Sequence, residues 1–155
     1  KLPKPIINKG GCNLSFAGLK TAILRITKGI KTEQEKFDLA ACFQKTIEEI
    51  LYTKTKKAFE EYKKIGKWNI NNFIVAGGVA ANKGIRNKLN QLSNENNFQV
   101  IYPYTKLCGD NAAMIAMAGL ERFKDNQFDE LNLQVNPRMP LDIHAKFLKG
   151  AGVKL

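Results

Sequence analysis

Histidine is nearly absent from this sequence, since the 155 residues contain only His144. A site that needs two histidines therefore cannot be built from this chain alone. Cysteine is also scarce: Cys12, Cys42 and Cys108 are far apart and form no CxxC pair. An odd number of widely spaced cysteines argues against a disulfide framework or a zinc ribbon. The sequence therefore predicts a protein of the reducing cytoplasm.

Long apolar runs are missing as well. No stretch approaches the ~18–20 apolar residues of a membrane span. The basic segment 1–9 lacks the apolar block of a signal peptide. We therefore expect no membrane association. Hydrophobic residues still make up 44% of the chain, which is enough for a core and excludes disordered and collagen-like proteins.

Acidic residues are few, 14 against 25 Lys and Arg, which gives a net charge of +11. Residues 1–32 contain seven Lys or Arg and no acid. A basic surface attracts polyanions, and nucleic acid is the usual one. The alternative is a solvated, lysine-rich surface that binds nothing in particular.

The hydrophobic pattern divides the chain into four segments. These are a basic amino-terminal segment with a short helix (1–31), a long helix (32–66), a strand–helix–strand–helix unit (72–123) and a loop-like tail (124–155). Thr32 and Glu35 have the spacing of a capping box, and Gly66 is placed to end the long helix. Apolar residues recur at helical spacing between them, namely Phe37, Ala40, Ala41, Ile47, Ile50, Leu51, Ala58 and Tyr62.

The third segment has the pattern of parallel α/β structure. The apolar run 72–78 predicts a buried parallel strand, and 98–102 predicts a second strand. Between them, Asn82 is expected to cap a helix with Ile85, Leu89 and Leu92 on its inner face, followed by a polar turn at 94–97. Two parallel strands cannot bury both of their faces alone. The sequence therefore predicts an α/β lobe from which other strands are missing.

Two turns could carry chemistry. In the first, Gly77 and Gly78 end a strand and precede Asn82, so backbone and amide groups could approach a phosphate or ribose. The alternative is a tight turn in which Asn82 is a plain helix cap. In the second, Gly109 and Asp110 open the last helix, where the carboxylate could bind a metal ion or orient a substrate. The alternative is that Asp110 only caps this helix.

Other candidates are weaker. Ser15 has neither a GxSxG turn nor a neighbouring histidine, which argues against a hydrolase nucleophile. Lys20 could contact phosphate or remain solvated. Cys108 has no adjacent base, so we expect a small buried residue. His144 lies in a basic tail and is expected at the surface.

Three segments in this order, LSFAGLKTA (14–22), VAGGVAANKGIR (75–86) and LCGDNAAMIAMAG (107–119), closely resemble the TsaD family. Residues 136–142, near the end of the sequence, are also similar to bacterial members of this family. The resemblance implies an incomplete second lobe of an actin/Hsp70-like ATPase fold (ASKHA, ribonuclease H-like). It also implies transfer of a threonylcarbamoyl group from its adenylate to N6 of adenosine in tRNAs reading ANN codons.

By this resemblance, Asn82, Gly77 and Gly78 would bind the substrate and Asp110 would ligate one divalent metal ion, iron or zinc. The family's two metal-binding histidines, in an HxxxH motif, are absent from this sequence, and no residue here is assigned a catalytic role. The chain is therefore expected to be a carboxyl-terminal portion that is inactive alone.

The expected partners are tRNA, threonylcarbamoyl-adenylate and the family's partner proteins TsaB and TsaE. Two alternatives remain open: a non-catalytic RNA- or protein-binding remnant of that family, and a relative of the actin-like sugar or acyl kinases.

Overall fold

Four helices and two short strands make up the computed structural model, which describes residues 1–66 and 71–135. In chain order they are α1 (Ala17–Thr27), α2 (Glu33–Ile65), β1 (Asn72–Ile74), α3 (Lys83–Asn96), β2 (Gln99–Ile101) and α4 (Ala112–Lys124). Short 3-10 turns lie at Gly78–Ala81 and Thr105–Leu107. The chain divides into two units, Lys1–Asp110 and Asn111–Leu155. No helix in the described part of the chain is both long and apolar enough to cross a membrane.

Helix α2 begins and ends where the sequence predicts. The Thr32 hydroxyl accepts a hydrogen bond from the Glu35 amide, and the Glu35 carboxylate accepts one from the Thr32 amide. Both bonds satisfy donors that the first helical turn leaves without a partner. At the other end, Gly66 takes a left-handed conformation with φ of 62°. The predicted capping box and terminating glycine are therefore confirmed.

Only part of the apolar periodicity of α2 faces the core. Ile50 is buried, and Ile47, Leu51 and Tyr62 pack against the core. Phe37 is 62% exposed, and Ala40 and Ala41 are also exposed. The residues of α2 that face inward form a stripe in which successive members are three or four positions apart. It includes Leu39, Cys42, Thr46, Ile50 and Lys54. Phe59, further along the helix, is also buried.

Lys54 is an exception to the interpretation of the lysines as solvated. Its side chain is buried, with only 3% of the residue exposed. The Nζ atom donates to the backbone oxygens of Lys9 and Gly11 at 3.0 and 3.2 Å. A buried ammonium needs such acceptors because burial removes its water. The amino-terminal segment is thus fastened to the long helix.

Two apolar clusters form the core of the first unit. One joins Leu2 and Leu19 to Ile50. The other lies between α2, α3 and the sheet, and contains Phe59, Ile85, Leu89, Leu92 and Phe98. Its centre is a stacked pair, Phe59 and Phe98, with ring centroids 4.0 Å apart. The predicted inner face of α3 is therefore confirmed.

The two strands are parallel, with Phe73 paired to Val100 and Ile74 paired to Ile101. The predicted burial of the first strand is wrong, because only alternate residues point inward. Phe73 and Val75 pack on the core, whereas Ile74 is 69% and Ile101 40% exposed. Neighbouring strand residues point to opposite faces, and the helices of this unit cover only one face. The architecture is mixed helix and sheet.

Two predicted boundaries also change. Helix α3 continues to Asn96, and only Asn97, with φ of 60°, turns the chain toward β2, so the expected polar turn at 94–97 is mostly helical. In the second unit, α4 begins at Ala112 rather than at Gly109 or Asp110. The tail is irregular as far as residue 135. The described residues do not include 136–142, a segment that contributes to the family resemblance, or His144.

Candidate functional site

The turn after β1 is built on two glycines in open backbone. Gly77 has φ of 91°, a value that residues with a side chain rarely adopt. A Cβ placed on Gly77 or Gly78 would meet nothing within 4 Å, so packing does not require glycine at Gly78. The chain then makes the 3-10 turn of 78–81 before α3 begins. A ligand could therefore come close to this backbone.

Asn82 is the N-cap of α3, as the sequence predicts. Its Oδ1 accepts a hydrogen bond from the Ile85 amide at 3.0 Å. The same side chain is paired with Gln44 of α2: Gln44 Nε2 donates to Asn82 Oδ1 at 3.0 Å, and Asn82 Nδ2 donates to Gln44 Oε1 at 2.9 Å. Asn82 is half-buried. Capping is therefore only part of what holds this amide in place.

A cavity of about 620 Å³ lies beside Asn82. Its polar lining comes from Gln44, Asn82 and the backbone of Gly78, and the rest is apolar: Phe16, Phe43, Ile47, Leu51, Val79 and Ile85. Pockets that combine apolar walls with a few fixed polar groups are typical of small-molecule sites. A flat apolar ligand with a polar edge would suit this lining.

A second cavity of about 480 Å³ shares Phe16, Phe43 and Ile47 with the first, and Lys20 also lines it. The cation suits an anionic group on a ligand. Sequence reasoning named Lys20, Gly78 and Asn82 but missed Gln44, Phe16 and Phe43. The position of Phe16 in the motif segment 14–22 was an available signal. Phe43 carries no such signal, because an apolar residue on a helix is equally typical of a core.

Arg86 joins the glycine turn to the loop that follows β2. Its Nε donates to the Ala80 oxygen, and its Nη2 donates to the Pro103 oxygen at 3.3 Å and lies 3.4 Å from Cys108 Sγ. Cys108 is buried, as expected for a small packed residue. Sequence reasoning missed Arg86, whose position in the motif segment 75–86 was the available signal. One side chain thus connects the glycine turn to the loop that precedes Gly109 and Asp110.

Asp110 is exposed, and it is not the cap of α4. Asn111 takes that position, and its Oδ1 accepts from the Met114 amide at 3.0 Å. The alternative that Asp110 is a helix cap is therefore wrong. Asp110 is not among the residues that line the 620 Å³ cavity.

A metal ion needs more ligands than Asp110 supplies. Within residues 1–66 and 71–135, no three His, Cys, Asp or Glu side chains are grouped so that they could hold a metal ion. A single exposed carboxylate does not by itself make a zinc or iron site, which needs about three or four protein ligands. The described residues therefore do not fit a complete metal site.

A family model and the curated relatives of this chain both point to the same family. The model of the family described as "TsaD: tRNA N6-adenosine threonylcarbamoyltransferase" matches residues 1–117. Curated proteins named tRNA N6-adenosine threonylcarbamoyltransferase are similar over nearly all of the chain. The relative from Pelagibacter ubique is 68% identical over 155 residues, that from Rickettsia bellii 45% over 144, and that from Roseobacter denitrificans 40% over 159.

The match covers these relatives only in part. It includes 100%, 92% and 99% of this chain, in the same order, but 43%, 42% and 43% of the relatives. The chain thus spans less than half of the length of the curated relatives it matches.

Proposed function

Because this chain belongs to the TsaD family of tRNA N6-adenosine threonylcarbamoyltransferases, we propose that it is the carboxyl-terminal portion of such an enzyme. The whole enzyme would transfer a threonylcarbamoyl group from threonylcarbamoyl-adenylate to N6 of adenosine in tRNAs reading ANN codons. The proposal includes the second lobe of an actin/Hsp70-like ATPase fold, of which the described parallel strand pair would be a part, and action in the cytoplasm.

The cavity beside Asn82 is the observation that carries this proposal. An adenylate consists of a flat base, a ribose and a phosphate, and the first cavity offers aromatic and aliphatic walls with two amides. Asn82 would hydrogen-bond the adenylate, while Gly77 and Gly78 would let its sugar or phosphate approach the backbone. Lys20 would attract the negative charge from the adjoining cavity.

Asp110 would contribute one ligand to a divalent iron or zinc ion, and the other ligands would come from outside this chain. This assignment is supported by its exposed carboxylate and by its release from capping, since Asn111 performs that role. The described residues alone do not complete the site of this ion.

The basic surface would contact tRNA. Seven Lys or Arg and no acid occur in residues 1–32, and phosphate contacts from such residues supply affinity without sequence preference. TsaB and TsaE would be the protein partners of the complete enzyme.

The test compares this chain with a completed chain, in which the part of the Pelagibacter relative that has no counterpart here is joined to it. Both are assayed with tRNA, threonylcarbamoyl-adenylate and Fe²⁺ or Zn²⁺. We expect no product from the chain alone and turnover by the completed chain. Asn82→Ala should reduce this turnover, and Asn87→Ala, an exposed position on the same helix, should not.

Two results would contradict the proposal. Turnover by the chain alone, at the rate of a full-length relative, would show that it is not an incomplete portion. A completed chain that folds and binds tRNA but forms no product would favour the non-catalytic, RNA-binding remnant.

A further inference from the structure

Gln44 and Asn82 form a two-way amide pair between helices α2 and α3. They lie 38 positions apart in sequence. Each side chain donates to the other, at 3.0 and 2.9 Å, and both line the 620 Å³ cavity. The oxygen and nitrogen of a side-chain amide have nearly the same size and shape. The groups that surround the pair therefore decide which atom donates and which accepts.

The neighbours at both ends determine that direction. Gln44 Nε2 also donates to Glu48 Oε1 at 2.7 Å, and an ionised carboxylate can only accept. Asn82 Oδ1 accepts from the Ile85 amide, which can only donate. Each amide therefore has only one orientation that satisfies its neighbours. Of the two Nδ2 hydrogens of Asn82, one is used on Gln44, and the other takes no part in this chain of bonds.

Gly84 leaves room for the pair in its present geometry. A Cβ at this position would overlap the Glu48 carboxylate and lie 2.8 Å from Gln44 Nε2. The bare backbone of the first turn of α3 thus leaves room for the side chains of α2 to reach Asn82. Sequence alone shows Gly84 only as an unfavourable residue within a helix.

We infer that Gln44 is a positioning residue for substrate binding: through its paired bonds it holds the amide of Asn82 so that an Nδ2 hydrogen is presented to an acceptor atom of the adenylate. The inference rests on the proposed function, in which Asn82 binds that substrate. Gln44 sets the orientation of the Asn82 amide. Glu48 accepts a hydrogen bond from Gln44, and Gly84 leaves room for both side chains. Without Gln44, the Asn82 amide keeps only its cap bond and can rotate its nitrogen away.

The experiment uses the completed chain and a double-mutant cycle. Gln44→Ala should raise the KM for threonylcarbamoyl-adenylate about tenfold, as the loss of one oriented hydrogen bond would, and leave kcat nearly unchanged. Asn82→Ala should raise KM at least as much. Adding Gln44→Ala to Asn82→Ala should change nothing further, because the residue that Gln44 orients is gone.

The matched control is Gln34→Ala. The Gln34 amide donates to Asp38 Oδ1 at 2.8 Å on the same helix, in the same four-residue spacing as Gln44 and Glu48, but at an exposed position. Gln34→Ala should leave KM unchanged. If Gln44→Ala prevents folding, Gly84→Ala disturbs the pair while both amides remain, and it should raise KM in the same direction.

The outcomes separate the inference from the proposed function. If Asn82→Ala raises KM but Gln44→Ala and Gly84→Ala leave it unchanged, or if the effects of Gln44→Ala and Asn82→Ala are additive, the role of Gln44 is wrong and that of Asn82 stands. A melting temperature that falls in Gln44→Ala without any change in KM also refutes it. If Asn82→Ala itself has no effect on KM, the substrate site of the proposed function is wrong.

Discussion

Two contacts join Arg86 and Tyr102. The guanidinium carbon of Arg86 lies 4.5 Å from the centroid of the Tyr102 ring, and the Tyr102 hydroxyl donates to the backbone oxygen of Arg86 at 3.2 Å. Burial raises the pKa of Tyr102, while the Arg86 cation opposes that rise. The phenol therefore stays a donor at neutral pH. Because Arg86 also binds the oxygens of Ala80 and Pro103, this contact braces the glycine turn and the loop after β2.

Replacing Arg86 by methionine should destabilise the chain by about 2 kcal/mol or more. The oxygen of Ala80, a buried residue, would lose its Arg86 donor, and a buried polar group without a partner costs about 1–3 kcal/mol. The oxygen of half-buried Pro103 would keep only its contact with the Cys108 thiol. Tyr102→Phe should cost about 1 kcal/mol through the loss of the hydroxyl bond to the Arg86 oxygen. Urea unfolding followed by circular dichroism measures both changes, and Arg122→Met, which removes an exposed ion pair with Asp129, is the control. Equal losses for Arg86→Met and Arg122→Met would show that Arg86 does not brace the turns.

The outer face of the sheet should cause the isolated chain to self-associate. Ile74 and Ile101 are neighbours in the strand register and both are exposed, and short uncovered strands with apolar faces invite association. Changing both to threonine should reduce the association constant, as measured by sedimentation equilibrium. Phe37→Thr, an equally exposed apolar position on α2, is the control. A wild-type chain that stays monomeric and melts in one sharp transition would contradict this prediction.

Asp110→Asn should separate metal binding from stability in the completed chain. Asn111, not Asp110, holds the Met114 amide, so the melting temperature should hardly change. The loss of an anionic ligand should remove most of the bound metal, which elemental analysis by mass spectrometry measures. Asn111→Ala should do the reverse, costing about 1 kcal/mol as a lost cap while the metal remains. Retention of metal by Asp110→Asn would rule out Asp110 as a ligand.

Glu35 should make the chain less stable in acid. Hydrogen bonds from the backbone amides of Lys31 and Thr32 lower the pKa of Glu35 below its ordinary 4.5. The folded state thus binds this proton less readily than the unfolded state. The stabilisation is complete above pH 4.5 and is lost as the pH falls through the folded pKa.

This pH dependence can be assigned with one substitution. Glu35→Gln keeps an acceptor in the capping box but cannot titrate, so its free energy of unfolding should fall less between pH 6 and about pH 3 than that of the wild type. Asn87→Ala, an exposed change on α3 that removes no titratable group, should retain the wild-type fall. Identical curves for Glu35→Gln and the wild type would show that Glu35 contributes nothing to acid sensitivity.

Some features of the site were predictable and others were not. Asn82 as the cap of α3 followed from its position before an amphipathic segment, but its pairing with Gln44 did not, since nothing in either local sequence indicates the other. The same holds for Arg86, whose acceptors lie on two separate turns. Asp110 and Asn111 are both good capping residues, and only the backbone conformation shows that Asn111 caps α4.

The sequence by itself determined the family and the helix termini at Thr32, Gly66 and Asn82. These are local features, because a cap closes its hydrogen bonds within about four residues and the motif segments are contiguous. The tertiary structure decided which stripe of α2 is buried, why Lys54 can lie in the core and how Gln44 meets Asn82. Those outcomes depend on partners 38 to 45 residues away, whose approach is set by the packing of α2 against α3 and the amino-terminal segment. Periodicity shows that a helix has an apolar side, but only the packed neighbour selects which row of residues it covers.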